Sequence, residues 1–570
     1  MSPECTIHKP HTLDNVSRLI TMAGGPAATA SGTNAYTHLM DPNRKWYNNR
    51  RRNHCSECLD HPAVSQRIGA IAADQLAPIT HLFASSRLIT SSTNGYDGSM
   101  MNGLQSLTQW EDYFHNPTKG KLGLLNAIQT IGGLAGYPFA PYMSDGLGRR
   151  PTVFFGAAVM IIATAVQTAS QSVGMFIGAR FLIGFGLTFA ANAAPMLVTE
   201  LSYPKYRAPL TSVYNSLWYS GAIVAAWATF GTFKIHSTWA WRVPSLLQAI
   251  PSVLQVVFVL FAPESPRFLV SKGKEAEALK ILAYYHADSN EEDPLVQYEF
   301  QEIKAAIEYD RTVAANIGWM SFFSSPGNRR RVRIIVAIAF FSQWSGNGLV
   351  SYYLNKVLTS VGVTDPTIQL LINGILQIWN LAWALSASAM VERFGRRLLF
   401  MVSVAGMCLF FTLQTICTAR YRIDGNTSAA HAVIAFIFLY YASYDIAFTP
   451  LIVTYTLEIL PYNIRAKGFN IFNFTISLAL IFNQYVNPIA LANIDWKYYI
   501  VYCIWLLVEG IILFLYVVET KNRTLEETAA LFDGEQATEQ IVHTAAANAG
   551  VTHDLGDEKV LDEKASAGSS

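Results

Sequence analysis

Charge is scarce in this chain. Of its 570 residues only 14% are charged against 51% hydrophobic, and the formal net charge is +1, which removes the electrostatic basis for nucleic acid as a partner. Cysteine is equally sparse: six residues lie scattered, with Cys408, Cys417 and Cys503 inside apolar runs, so no disulfide framework emerges. "HCSECLDH" (54–61) sets Cys55 and Cys58 at metal-ligand spacing, but without a second pair it is a weak zinc signal; no metal and no cofactor are expected. Residues 1–72 lack the apolar core of a cleavable signal peptide. The absence of a nucleophile-and-base constellation or a phosphate-cradling loop argues against an enzyme.

What the chain has in plenty is hydrocarbon. Apolar runs of about 20 residues, long enough as helix to cross roughly 30 Å of lipid, begin near Leu122, Thr152, Gly174, Pro209, Trp241, Arg333, Ile368, Leu398, His431, Gly468 and Tyr498. A twelfth span is needed before Leu122. The stretch available, "AADQLAPITHLFASSRLITSSTNGYDGSMM" (72–101), carries Asp74, His81, Arg87 and Asp97 and is a poor spanning segment. Lysine and arginine near the run ends favour cytoplasmic termini, with Arg149, Arg150, Arg329 to Arg331, Arg396 and Arg397 inside. Asn426 in "NTS" then lies outside, where it is either a glycosylation acceptor or an unused sequon.

An internal repeat organises these runs. "DGLGRR" (Asp145 to Arg150) returns as "ERFGRR" (Glu392 to Arg397), "ELSYPKYR" (Glu200 to Arg207) as "EILPYNIR" (Glu458 to Arg465), and "PESPRFL", with Glu264 and Arg267, is echoed around Glu519. Echoes at nearly one offset of about 250 residues mean two homologous six-helix halves. The expected fold is an all-α membrane protein: a cytoplasmic tail (1–72), a first half (73–262), a cytoplasmic linker with short helices (263–332), a second half (333–518) and a disordered cytoplasmic tail (519–570). Two such halves place a solute site at their interface near mid-bilayer and expose it alternately by rocking. The repeated arginines lie within reach of Glu200, Glu264, Glu458 and Glu519, whose carboxylates fit guanidinium forks. They read as a latch on the cytoplasmic mouth; the alternative is a solvated cluster that only sets topology.

These motifs, with "GARFLIGFG", "PMLVTE", "EILPYNIRAKG" and "ETKNRTLEE", resemble the sugar porter family of the major facilitator superfamily from about Ser91 to Glu527. "FSQWSGNGLVSYYLN" and "FNQYVNPIAL" look closer to fungal lactose permeases and cellodextrin transporters. The resemblance implies transport of a small-molecule sugar, a disaccharide such as lactose or cellobiose, with a proton, by a monomer in the lipid of the plasma membrane. Asp97 matches the family's first-helix acid and Arg180 its fourth-helix arginine; the pair reads as the proton-coupling element, in which protonated Asp97 releases Arg180. A static salt bridge or a helix cap is the alternative. One proton moving through about 100 mV supplies about 2.3 kcal/mol, enough for a roughly forty-fold sugar gradient.

For sugar hydroxyls the resemblance points to Asn215, Gln343, Asn380 and Asn473, each of which can instead be helix-packing glue. The family pattern QQxSGxN reads "SQWSGNG" here, so Ser342 and Gly348 replace two long donors while Asn347 stands one residue early. The lost donors imply room for a disaccharide, with Trp344 either a stacking platform or a lipid-facing ring. Tyr352 and Tyr353 match a tyrosine pair expected to gate the outer mouth. "DPNRKWYNNRR" and "LITSSTNGYDGSMMNGLQ" resemble adjoining pieces of a fungal porter, so residues 52–87 between them read as a retained intron or misplaced splice boundary. An uncoupled facilitator and a non-transporting sugar sensor remain the alternative functions.

Overall fold

A computed structural model describes residues 90–312, 319–460 and 462–521, together with 528, 531 and 532. Among these the chain is helical throughout, without strands. Among the described residues, nine helical stretches are long and apolar enough to cross a membrane. Three more complete a set of twelve: residues 90–104, and Lys119–Gly136 and Pro204–Thr232, whose apolar character glycine, serine, threonine and asparagine dilute. We number them α1 (90–104), α2 (Lys119–Gly136, continued by Ala140–Leu147), α3 (Arg149–Thr168), α4 (Val173–Leu201), α5 (Pro204–Thr232) and α6 (Trp239–Leu247 with Ala249–Phe261). The second half holds α7 (Pro326–Trp344, then Asn347–Ser360), α8 (Pro366–Phe394), α9 (Arg396–Asp424), α10 (Thr427–Ala447, then Leu451–Ile459), α11 (Tyr462–Ile494) and α12 (Lys497–Tyr516).

Most helices start a few residues before the apolar runs read from sequence, because helix continues past the hydrocarbon to a cap. The largest difference is α7: residues 326–332, expected in the linker, already form its first turns. Arg331 there is buried and donates to Ile459 O at 3.1 Å, while Ser325 caps the helix by accepting from Asn328 N–H. The rest of the linker folds into short helices, Pro266–Ser271, Glu275–His286 and Pro294–Thr312, around a small core that includes Leu269, Leu282 and Phe300. Asn426 is exposed and caps α10, its Oδ1 accepting from Ser428 and Ala429 N–H. The pair Cys55 and Cys58, the proposed splice anomaly over 52–87 and the N-terminal tail lie outside the described residues.

The repeat is physical. Gly148 (φ 114°) and Gly395 (φ 89°) end α2 and α8 with left-handed backbone that a side chain resists. That turn swings α3 and α9 back alongside. The gap is tight, since a Cβ on Gly395 would fall 2.8 Å from Glu519 Oε2. Between the halves, α2 packs along α11 and α5 along α8. We call the end bearing these turns and the linker the arginine end, and the opposite one the far end.

Candidate functional site

In the first half α1 presents Asp97 to α4. Arg180 donates from Nη1 to Oδ1 and from Nη2 to Oδ2, both at 3.2 Å, and the two residues are 2% and 1% exposed. Such a two-pronged contact matches the planar fork of the guanidinium to the carboxylate. Two glutamines complete it: Gln248 Nε2 on α6 donates to Asp97 Oδ1 at 2.7 Å, and Gln129 Oε1 on α2 accepts from Arg180 Nη2 at 3.3 Å. Gln167 on α3 donates in turn to Gln248 Oε1 at 3.2 Å. The sequence reading did not single out these glutamines, though an amide inside an apolar run was signal enough to find them. The hydrogen-bond network around the ion pair thus draws on five helices of the first half: α1, α2, α3, α4 and α6.

In the second half the chain breaks inside α7. Gly346 takes φ 102° between the two helical pieces, freeing backbone groups that lipid would leave unsatisfied. Three tyrosines of α10 answer them: Tyr444 Oη donates to Ser342 O at 2.7 Å, Tyr440 Oη to Ser345 O at 2.7 Å, and Tyr441 Oη to Asn347 O at 2.8 Å. Asn347 is buried here, its Nδ2 donating to Ser342 O at 3.2 Å and Tyr444 Oη at 3.1 Å, while its Oδ1 lacks a partner. Gln343 donates to Ser342 Oγ at 3.2 Å, and its carbonyl accepts from Asn483 Nδ2 on α11 at 2.7 Å. Asn380 on α8 is 1% exposed with an unpartnered Oδ1. Asn473 is half-buried on α11. The side chain of Asn215 lies outside the described residues.

Two sequence expectations meet a different arrangement. The space vacated at Gly348 is filled, because a Cβ there would fall 2.1 Å from Asn483 Nδ2; the neighbouring helix supplies the amide that the family pattern places on α7. Trp344 packs among Phe340, Phe482 and Trp505, with ring centroids 5.0, 5.0 and 5.7 Å away. That cluster belongs wholly to the second half. Its packing geometry accounts for the ring without a ligand.

At the far end the halves meet. Asn355 Nδ2 donates to Gln105 O at 2.6 Å, Gln105 Nε2 to Tyr352 O at 2.9 Å, and Leu354 N–H to Asn102 Oδ1 at 3.1 Å. Tyr353, fully buried, accepts from Asn126 Nδ2 at 3.2 Å and donates to Gln484 O. Lys356 pairs with Glu111 at 3.0 Å. The second of the two tyrosines thus sits between α2 and α11, bonded to both, and the first contributes its carbonyl.

At the arginine end each half builds the same cluster from its copy of the repeat. Glu264 Oε1 accepts from Arg149 N–H at 3.0 Å and Glu519 Oε1 from Arg396 N–H at 2.9 Å, so a carboxylate from the end of α6 or α12 satisfies the exposed N-terminus of α3 or α9. Arg149 Nε lies 3.3 Å from Glu200 Oε2, and Arg396 Nη2 2.8 Å from Glu458 Oε1. Ser265 and Thr520 hydroxyls bond those same glutamates. Arg150 reaches Leu260 O and Arg397 reaches Phe514 O, capping the ends of α6 and α12. Burial pushes the Glu264 carboxyl above the usual range, against the lowering effect of the N–H donors of Ser265, Arg150 and Arg149. The exposed Asp145 pairs with Arg149 at 3.2 Å, Arg465 donates to Leu460 O at 3.3 Å, and Arg267 is half-buried. The side chains of Arg207 and Glu392 lie outside the described residues. These pairs close within one half, so in this conformation they brace each half internally.

Two acids were missed, although an acid inside an apolar run is itself a functional signal. Asp445 on α10 accepts from Tyr219 Oη on α5 at 2.6 Å, a contact that crosses the halves near mid-helix. Glu509 on α12 is fully buried with neither oxygen partnered.

The family described as "Sugar (and other) transporter" matches residues 84–532. A high-affinity glucose transporter of Kluyveromyces lactis is 28% identical over 457 residues, covering 76% of this chain and 81% of that protein. An MFS-type transporter of Aspergillus oryzae, oryC, is 30% identical over 443 residues, covering 76% and 81%. Among solved structures, the proton:xylose symporter XylE bound to 6-bromo-6-deoxy-D-glucose superposes with a TM-score of 0.64 at 23% identity, covering 79% of this chain and 98% of that one. Its likeness speaks for the fold alone: two six-helix halves of the major facilitator type. With the matched region spanning every membrane helix described above, the chain belongs to the sugar (and other) transporter family.

Proposed function

We propose that the protein carries a sugar across the plasma membrane by alternating access, coupled to the entry of a proton. The observation that carries this reading is the dry ion pair between Asp97 and Arg180, joined across α1 and α4 in the half that lacks the broken helix. Two opposite charges in a membrane interior cost several kcal/mol of desolvation unless paired, and a pair that one proton can dissolve is a means of linking protonation to helix movement. Amides around the α7 break, Gln343, Asn347, Asn380 and Asn483, supply the donors and acceptors that sugar hydroxyls need.

By the positive-inside bias the arginine end faces the cytoplasm. The far-end contacts then close the outer mouth, and the conformation is inward-facing, with Tyr353 as the outer plug. The repeated arginine and glutamate clusters keep each half rigid as it rocks; a role in closing the cytoplasmic mouth belongs to the opposite, outward-facing state.

For the sugar, the preference for a disaccharide rests on Ser342 and Gly348. Asn483 takes up the second vacancy, so Ser342 alone carries that argument. The relatives named for glucose favour a hexose as the second reading. Uptake of labelled lactose, cellobiose and glucose in cells lacking their own carriers tests both. Accumulation above equilibrium that a protonophore abolishes supports symport; equilibration indifferent to protonophore refutes coupling; surface expression without uptake of any sugar refutes transport.

A further inference from the structure

Asp445 lies near the middle of α10, fully buried, on the seam between the halves. Its two hydroxyl partners converge on one oxygen. Tyr219 Oη, from the other half, and Thr449 Oγ1, one turn along α10, each donate to Oδ1 at 2.6 Å. Oδ2 has no hydrogen-bond partner. That asymmetry fits a neutral carboxyl group, with a carbonyl oxygen accepting twice and a hydroxyl oxygen carrying the proton. An ionised carboxylate would strand half its charge on a dry atom.

Among the described residues no cation pairs with it. The titratable groups that interact with it are Tyr219 on α5 and Tyr441 and Tyr444 on α10. The other helices packed on α10 bring neutral groups, Tyr352 and Tyr353 on α7 and Cys408, Cys417 and Tyr421 on α9, and carry their charges toward their ends in the sequence: Arg329 to Arg331, Arg333 and Lys356 on α7, Glu392 and Arg393 on α8, Arg396, Arg397, Arg420, Arg422 and Asp424 on α9, Arg465 and Lys467 on α11. On α5, Lys205 and Arg207 likewise stand toward the helix end in the sequence. Arg180, the cation deep in the first half, is taken by Asp97. Glu509, the other lone acid, is buried on α12 and neither of its oxygens has a hydrogen-bond partner.

We propose that Asp445 is a second proton-carrying carboxyl group, separate from Asp97 and gated by Tyr219. The proposal rests on the symport reading above. Because Tyr219 and Asp445 belong to opposite halves, movement of one half against the other separates them and lets water replace the phenol. The proton then binds Oδ2 from water on one side of the membrane and returns to water on the other; no other bond is made or broken. With the contact sealed, the proton is held.

The test is the number of protons moved per sugar by the full-length protein in proteoliposomes holding a pH dye. Whichever of glucose, lactose and cellobiose the wild type takes up serves as probe, and sugar exchange at equal concentrations checks folding. Asp445→Asn is expected to keep exchange but move no more than half as many protons per sugar. Tyr219→Phe is expected to keep exchange and displace the pH midpoint of net uptake by about half a unit or more. Wild-type protons per sugar in Asp445→Asn, with exchange intact, overturns the proposal. Should that variant fail to fold, an unmoved midpoint in Tyr219→Phe overturns it instead. A wild type that moves sugar without protons refutes the symport reading itself, whereas proton movement unaffected by either variant removes only the part assigned to Asp445.

Discussion

Replacing Asp97 by asparagine leaves the Arg180 guanidinium in a dry site with its charge uncompensated. The amide oxygen still accepts from Gln248 and from one arm of the arginine, and Gln129 still accepts from Nη2 at 3.3 Å, so hydrogen bonding is largely kept while charge balance is lost. Breaking one side of a buried pair costs about 3–5 kcal/mol; the surviving amide contacts place this variant near about 3 kcal/mol. Removing the other charge as well, in Asp97→Asn with Arg180→Gln, is expected to recover about half of that or more, because no orphan ion remains. Thermal denaturation of detergent-purified protein measures both. In transport, asparagine imitates the protonated acid, so sugar exchange survives while uphill accumulation falls well below that of the wild type, to what the proton on Asp445 still drives. A single variant that accumulates sugar like the wild type refutes the coupling role. A double variant no more stable than the single refutes the electrostatic argument.

Tyr353→Phe removes a hydroxyl that accepts from Asn126 across the far-end seam and donates to Gln484 within its own half; at about 1 kcal/mol for the one bond that crosses, closure there weakens several-fold. A cysteine placed at Leu370, buried in the same cluster as Tyr353, on a background without native cysteines, then reacts faster with an impermeant maleimide, and unchanged labelling refutes the plug. Glu264 gives a pH signature: its carboxyl is raised above the ordinary 4.5 by burial, so the stability tied to its protonation is full below that value and lost as pH climbs through the raised one. Glu264→Gln should flatten that segment of the melting temperature against pH, and an identical profile in the variant refutes the assignment.

The arginine end was legible in the sequence because its chemistry is local. A glycine that must turn, an arginine pair at a helix start and a glutamate at the end of the partner helix stand at fixed distances along the chain, and the repeat prints them twice. The pairing of Asp97 with Arg180 was legible for another reason: the resemblance to sugar porters matches both residues, and the cost of a lone charge in an apolar run marks each as functional. What stayed hidden depends on how helices rotate against one another. Nothing in "SQWSGNG" reveals that the amide absent from position 348 is replaced by Asn483, or that Trp344 is enclosed by rings from α11 and α12, since those neighbours are well over a hundred residues away in the chain. The glutamines around the ion pair and the acid at 445 were visible as letters, but their partners come from other helices.

The two halves share a scaffold but join their facing helices by different chemistry. Corresponding helices meet in both, α1 with α4 and α7 with α10, yet the first contact is an ion pair and the second a ladder of tyrosines on broken backbone. A charged contact responds to a proton and tolerates little else; a neutral one, with spare amide capacity at Asn347 and Asn380, can exchange its partners for sugar hydroxyls at small cost. In the proposed scheme the seam is where protonation and sugar binding communicate, and the contact between Tyr219 and Asp445 joins the two halves there near mid-helix.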